Sequence, residues 1–180
     1  MVKYAVTNQM TRQDVKAIRK KLKLSQAELA GLLNVSVKTI ERWEQSEQFI
    51  TGSSAVLLQL LDEHPELERK MRIPDKEYPM RLWFYCGNHL CSVIDVDERR
   101  RLVKVYNYTN NNLMRAFGRN DSPEYADYET FLESRCFPES RDKMKLMLEK
   151  LDLPFYDPLL IIEKTQGRMA DDNCWIRIER

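Results

Sequence analysis

The sequence predicts an α+β fold, with an all-α region of four to five helices followed by a small antiparallel β-meander plus helices. Three observations support this prediction. Amphipathic segments near the N-terminus begin at Ser or Thr caps, a stretch with two prolines follows them, and strand-like alternation of apolar residues begins at about Met80. A chain of 180 residues is long enough for one or two compact domains. We therefore expect domains at residues 1–72 and 80–180, joined by a linker at 73–79.

Capping residues and apolar spacing define the helices of residues 1–72. Short Ser and Thr side chains accept hydrogen bonds from the first backbone N–H groups of a helix, so they mark where helices begin. Glu28, three residues after Ser25, completes a capping box. Asn34 tolerates the left-handed backbone of a tight turn between the second and third helices. The predicted helices are 12–22, 26–33, 37–45, 53–61 and a last turn at 65–71, with N-caps at Thr11, Ser25 and Ser36 for the first three.

Positive charge is concentrated near the N-terminus. The whole chain carries a formal net charge of +1, which says little about its partners. Residues 1–42, however, contain nine Lys or Arg against three Asp or Glu. A basic module of this kind suits a polyanionic partner, because each phosphate that it contacts releases condensed counterions.

The run LSQAELAGLLNVSVKTIERWEQ, from Leu24 to Gln45, resembles the helix-turn-helix of the XRE/Cro-repressor family. Within that family it is most similar to the antitoxin branch of the HigA and MqsA type, as is the tail GSSAVLLQLLDEHPEL. The resemblance covers about residues 12–70. It implies sequence-specific binding of double-stranded DNA, usually as a homodimer on an inverted-repeat operator.

The resemblance and the geometry of such motifs assign the DNA-binding residues. The second helix of the pair enters the major groove with its N-terminal residues against base edges. Lys38 and Arg42 can pair with guanine, and Val37 can contact a thymine methyl group. By family resemblance Gln26 contacts a phosphate, and a second phosphate contact is expected at Thr39. The predicted DNA-binding residues are Gln26, Ser36, Val37, Lys38, Thr39 and Arg42.

Several of these residues have a plainer alternative role. Arg42 has Glu41 and Glu44 nearby and could form an ion pair instead of contacting DNA. The lysines that precede the motif could add nonspecific attraction or could simply be solvated; they are Lys20, Lys21 and Lys23. Ile40 and Trp43 fall on the inner face of the third helix, so they are expected in the core.

The C-terminal half combines strands with helices. The predicted strands are 81–86, 90–96 and 102–108, with a turn at Gly87-Asn88 between the first two and a strand or extended arm at 175–178. The predicted helices are 123–135, 141–151 capped by Ser140, and 158–165 capped by Asp157. The segments FLESRCFPESRDKMKLMLEKL and LLIIEKTQGRMADDNCWIRI resemble the N-terminal appendage of HipA-type kinase toxins. Kinase motifs are missing from the sequence, so this half is predicted to be a non-catalytic partner-binding or dimerisation domain.

Cys86, His89 and Cys91 form the cluster CGNHLC across the predicted hairpin turn. A zinc knuckle would need a fourth ligand, which Cys136 or Cys174 could supply. The spacing favours a plain hairpin with buried or half-buried thiols over both a metal site and a nucleophilic Cys with His89 as its base. The N-terminus lacks the pattern of a signal peptide, and a transmembrane segment is not expected. We therefore expect a cytoplasmic protein with reduced thiols and no cofactor.

Two functions follow from the sequence. The first is a transcriptional repressor that autoregulates its operon as an antitoxin-like protein, with a cognate toxin as a possible partner. The alternative is a protein-binding inhibitor that acts through the C-terminal domain, either as a toxin neutraliser or as a phage counter-defence protein. An enzymatic function has no positive support in the sequence.

Overall fold

The computed structural model describes residues 5, 9–140, 142 and 144–180. Its residues form two compact units, Met1–Ile73 and Pro74–Arg180, which are described separately below. The helical first unit and the strands and helices of the second confirm the predicted α+β class. In the described part of the chain, no helix combines the length and the apolar character needed to cross a bilayer.

The first unit is helical, as predicted. Its helices are α1 (Arg12–Lys21), α2 (Gln26–Leu32), α3 (Val37–Gln45), α4 (Ser53–Glu63) and α5 (Glu66–Met71). The side chains of Thr11, Ser25 and Ser36 each accept a hydrogen bond from the backbone N–H three residues later, so all three predicted N-caps are confirmed. Asn34 has a φ of 53°, the left-handed conformation expected in the turn.

The first unit also contains a two-stranded sheet that was not predicted from the sequence. It pairs β1 (Gln9–Met10) with β2 (Ile50–Thr51) in antiparallel register. Two-residue strands are too short to show an alternating pattern, so the sequence carried no signal for them. The sheet attaches the segment before α1 to the segment that follows α3.

The core of the first unit is formed by the apolar faces of its helices. Val15, Leu29, Ile40 and Leu58 are fully buried, and Ile40 confirms the expected inner face of α3. Trp43, expected in the core, is only half-buried and packs against the edge of this cluster. The core therefore fixes which side of α3 faces inward and leaves the opposite side exposed.

The second unit is an antiparallel sheet with helices on one face. Its strands are β3 (Met80–Cys86), β4 (His89–Asp97), β5 (Leu102–Asn107) and β6 (Cys174–Glu179), in the order β5-β4-β3-β6. Its helices are α6 (Tyr125–Ser134), α7 (Met144–Leu151) and α8 (Pro158–Thr165), with a 3-10 turn at Asn112–Met114. The start predicted for α7 falls on Arg141 and Lys143, which lie outside the described residues. The segment at 175–178 is a true strand, and it pairs with β3.

The two faces of this sheet are covered by different parts of the chain. Alternate residues of β3, such as Leu82 and Phe84, contact the helices and form the core of the unit. On the opposite face the guanidinium of Arg81 forms a buried ion pair with Asp95, with Nε and Oδ1 2.5 Å apart. The Pro74 carbonyl accepts a hydrogen bond from Arg81, and the Glu77 N–H donates to Asp95. Part of the stretch expected to be a linker therefore packs against the sheet.

The cysteines depart from the expectation of reduced thiols. Cys86 and Cys174 form a disulfide, because β3 and β6 pair with these two residues directly opposite each other. The expectation is wrong for this pair, whose members lie 88 residues apart in sequence and are brought together only by the sheet. Cys91 and Cys136 are free thiols and both are buried. Burial raises the pKa of Cys136 to about 12, which disfavours its reactive thiolate form.

The buried hydroxyl group of Tyr128 is expected to lower the stability of the second unit. Its side chain is 1% exposed, and its hydroxyl group has no hydrogen-bond partner among the described residues. A buried polar group without a partner lowers stability, so Tyr128→Phe is expected to raise the free energy of unfolding by about 1 kcal/mol. Urea denaturation followed by circular dichroism measures the change.

Tyr156→Phe is the matched control for this substitution. The Tyr156 hydroxyl donates a hydrogen bond of 3.0 Å to the Phe137 carbonyl, so its removal is expected to lower stability by about 1 kcal/mol. A Tyr128→Phe variant less stable than the wild type would contradict the account of the unpaired hydroxyl.

Candidate nucleic-acid interface

The α2-turn-α3 segment is held by backbone hydrogen bonds at the turn. Val35 N–H donates to the Ala30 carbonyl at 2.9 Å, and Asn34 N–H donates to the Gly31 carbonyl at 3.2 Å. The left-handed Asn34 reverses the chain direction, and Ser36 then caps α3. This local geometry places the first residues of α3 at an exposed position beside the turn.

A buried ionic network joins the three helices around this turn. Glu44 on α3 is only 4% exposed, and its carboxylate accepts hydrogen bonds from Arg19 Nε at 2.6 Å and Nη2 at 3.1 Å. Gln26 Nε2, from the first residue of α2, donates to the same carboxylate at 2.9 Å. The bond from Arg19 holds the pKa of Glu44 below its ordinary value. The network therefore fixes α3 against α1 and α2 through a carboxylate that stays charged.

This network was not predicted from the sequence. Glu44 was considered only as a partner for Arg42, and Arg19 was counted only toward the positive charge of residues 1–42. One signal was present: Glu44 lies four residues after Ile40, so both share the inner face of α3. A carboxylate buried on an apolar helix face requires a paired cation, and the partly buried Arg19 on α1 is that cation.

The six predicted DNA-binding residues fall into two groups. Three are already engaged with other protein groups: Gln26 with Glu44, and Ser36 with Thr39, whose hydroxyl oxygens lie 2.8 Å apart at the helix cap. The other three are Val37, Lys38 and Arg42, which lie exposed on α3. All six lie on α2, α3 or the turn between them.

Lys38 and Arg42 form the charged part of the exposed side of α3. They are four residues apart and line one shallow surface depression together with Glu41, Gln45 and Ser46. In the described part of the chain, neither cation forms an ion pair with a carboxylate. The alternative pairing of Arg42 with Glu44 is not formed, because Glu44 binds Arg19.

The three lysines that precede the motif differ in whether they have an ion-pair partner. Lys21 Nζ lies 2.6 Å from Asp62 Oδ1 on α4, so this charge is used within the unit. Lys20 and Lys23 are exposed, and the described residues offer them no ion-pair partner. These two lysines remain available to a polyanion in solution.

The cysteine and histidine cluster of the second unit does not form a metal site in the structure. Cys86 is bonded to Cys174 and so offers no thiolate. Burial raises the pKa of the Cys91 thiol, and its Sγ lies 3.4 Å from the His89 carbonyl oxygen. Over the described ranges, no three His, Cys, Asp or Glu side chains are arranged to hold a metal ion.

The first unit is thus a helix-turn-helix unit with an exposed cationic face on its second motif helix. Comparison with known proteins agrees with this class. Residues 1–72 match the family described as the antitoxin component of bacterial toxin-antitoxin systems, MqsA. The chain is also 36% identical over 53 residues to the antitoxin HigA-2 of Vibrio cholerae serotype O1, an alignment that covers 29% of this chain and 51% of that protein.

Both matches support the resemblance to antitoxin-type regulators that the sequence predicted. The family match lies entirely within the first unit, and the chain spans about half the length of the curated relative. The resemblance of the C-terminal half to HipA-type toxins is supported by neither match.

Glu44→Gln tests the network that positions α3. It leaves the Arg19 charge largely buried without a counter-charge, so the free energy of unfolding at pH 7 is expected to fall by about 3 kcal/mol. The folded-state pKa of Glu44 lies below its ordinary value of 4.5. The stabilisation is therefore complete above pH 4.5 and is lost as the pH falls through the folded pKa. Urea denaturation between pH 3 and pH 7 should show this acid loss in the wild type and less of it in the variant.

Glu47→Gln is the control for this experiment. Glu47 also pairs with an arginine of α1, Arg12, but its side chain is 87% exposed, so little change in stability is expected. Equal losses in the two variants would contradict the role assigned to the buried pair.

Proposed function

We propose that this protein is a sequence-specific DNA-binding repressor that autoregulates its operon as an antitoxin-like regulator. The observation that supports this most strongly is the exposed cationic face of α3, held in place by the Arg19–Glu44 pair. A capped helix of nine residues fits the major groove of B-DNA. DNA is also the polyanion that best suits the basic N-terminal end of the chain.

In this proposal each residue of the motif has a distinct task. Val37 and Lys38 reach base edges near the start of α3, where Val37 contacts a thymine methyl and Lys38 a guanine. Arg42, one turn later, makes a bidentate contact to guanine or binds a phosphate. Ser36 holds the start of α3 in place through its cap and lies beside the bases.

Gln26 and Thr39 position the motif on the DNA backbone. The Gln26 amide has two N–H donors, and one of them is used by Glu44. That bond fixes the plane of the amide and leaves the second donor for a phosphate oxygen. The Thr39 hydroxyl, bonded to Ser36, can donate to a neighbouring phosphate.

We further propose that the protein acts in the cytoplasm as a homodimer on an inverted repeat. A single module of this type contacts only a few base pairs, so two copies are needed for a specific operator. The relative HigA-2 is named an antitoxin, and on that basis we propose a cognate toxin as a protein partner. Affinity purification of the chain with the products of its neighbouring genes tests that partner.

Removing the exposed cations of α3 tests DNA binding. Lys38→Ala and Arg42→Ala are each expected to cost about 1–3 kcal/mol of binding free energy, which weakens the Kd roughly 5- to 150-fold. Fluorescence anisotropy with a labelled duplex from upstream of the protein's own gene, at low salt, measures the affinity. Sequence preference should relax at the contacted position if the lost contact was to a base.

Lys70→Ala is the matched control, because Lys70 is an exposed cation on α5, outside the motif. It is expected to leave the affinity nearly unchanged. Failure of the wild type to bind the upstream DNA, or equal losses for all three variants, would contradict the proposal.

A further inference from the structure

Glu41 is a carboxylate within the cationic face of α3. Its side chain is half-buried and lines the same shallow depression as Lys38 and Arg42. It lies three residues after Lys38 and one residue before Arg42, so it belongs to the part of α3 that the proposed function places in the major groove. A negative charge at this position requires an explanation, because the phosphates of DNA repel it.

Glu41 also differs from the other acidic side chains of the first unit. Among the described residues of that unit, it is the one carboxylate with neither a hydrogen bond nor an ion pair. The acidic residues that do have a partner are Asp14, Glu28, Glu44, Glu47, Asp62, Glu63, Glu66 and Glu68. The oxygens of Glu41 are therefore available to accept hydrogen bonds from a bound molecule.

The chemistry of a carboxylate limits which base it can bind. A carboxylate only accepts hydrogen bonds, and the only donors in the major groove are the N4 amino group of cytosine and the N6 amino group of adenine. Guanine and thymine present acceptors there, which repel a carboxylate. Adenine places its N7 acceptor beside N6, whereas cytosine has no acceptor on its own major-groove edge. Cytosine is thus the base that best fits Glu41.

We propose that Glu41 accepts a hydrogen bond from the N4 amino group of a cytosine and so selects a C·G base pair in the operator. This inference rests on the proposed function, in which Lys38 contacts guanine near the start of α3. The two kinds of contact are complementary, because the carboxylate accepts from cytosine while the cations donate to guanine. The base pairs that face α3 are therefore expected to include C·G pairs.

The carboxylate increases specificity at a cost in general affinity. On a cytosine, its hydrogen bond offsets the repulsion from the neighbouring phosphates. On any other base, the bond is weakened or lost while the repulsion remains. A sequence without the cytosine is therefore disfavoured both by the missing bond and by the uncompensated charge.

Binding-site selection from a random duplex pool tests this inference with the full-length wild type and two variants, Glu41→Ala and Glu41→Gln. Fluorescence anisotropy then measures the Kd for the four duplexes that differ only at the selected C·G pair. The wild type is expected to prefer the cytosine by about 5- to 150-fold, the usual range for one mismatched base pair.

The two variants are expected to differ from each other. Glu41→Ala should lose the preference at that pair while its affinity for random-sequence duplex rises, because a charge that repels phosphates is removed. Glu41→Gln should shift the preference toward adenine, since a glutamine amide pairs with adenine N6 and N7. Both variants should fold as the wild type does, because Glu41 has no partner among the described residues, and circular dichroism checks this.

Glu47→Gln is the matched control, because Glu47 is an exposed acidic residue just after α3 that does not line the depression. It is expected to select the same sequences as the wild type. An unchanged preference in Glu41→Ala, or an equal loss of affinity on all four duplexes, would overturn this inference and leave the proposed function standing. A wild type that selects no sequence would refute the proposed function, and this inference with it.

Discussion

The arrangement of the first unit depends on one buried ion pair, Arg19–Glu44. Its carboxylate is almost fully buried, and a charge in that position is stable only if it is paired and hydrogen-bonded. Two donors of Arg19 and one of Gln26 engage both of its oxygens, and they come from the two helices that precede α3. Because the pair breaks if α3 rotates or slides, the same interaction determines which residues of α3 remain exposed. The cationic face of α3 is thus a consequence of a fixed core.

Buried arginines hold the second unit together in a similar way. Arg81 joins the far face of the sheet to Asp95 and to the segment that leads into β3. Arg135, at the end of α6, donates to the Gly167 and Cys174 carbonyls and to Asp172, which ties the chain after α8 to the start of β6. Together with the hydrogen bond from Ile176 N–H to the Gln166 carbonyl, these interactions attach the first half of β6 to the segment that follows α8.

Local chemistry made much of the fold predictable. The caps at Thr11, Ser25 and Ser36, and the left-handed Asn34, depend on residues within three positions of each other, so the sequence contains the whole interaction. The inner face of α3 was predicted from Ile40, because the spacing of residues along one helix is also contained in the local sequence. For the candidate site, the sequence indicated which residues of α3 are exposed. It did not indicate that Gln26 is held by Glu44, because that contact spans two helices.

The features that could not be predicted from the sequence depend on long-range contacts. The pairing of β1 with β2 joins two-residue strands that leave no periodic signal, and the Cys86–Cys174 disulfide requires the register of β3 with β6. In the proposed function, α3 is fixed by the Arg19–Glu44 pair and reads DNA with the residues that this pair leaves exposed. Amide NMR of the full chain titrated with its upstream duplex tests it most directly. The account predicts shifts concentrated at Gln26 and at residues 36–42 that are lost in Glu44→Gln. Shifts confined to the second unit, or unchanged in that variant, would contradict it.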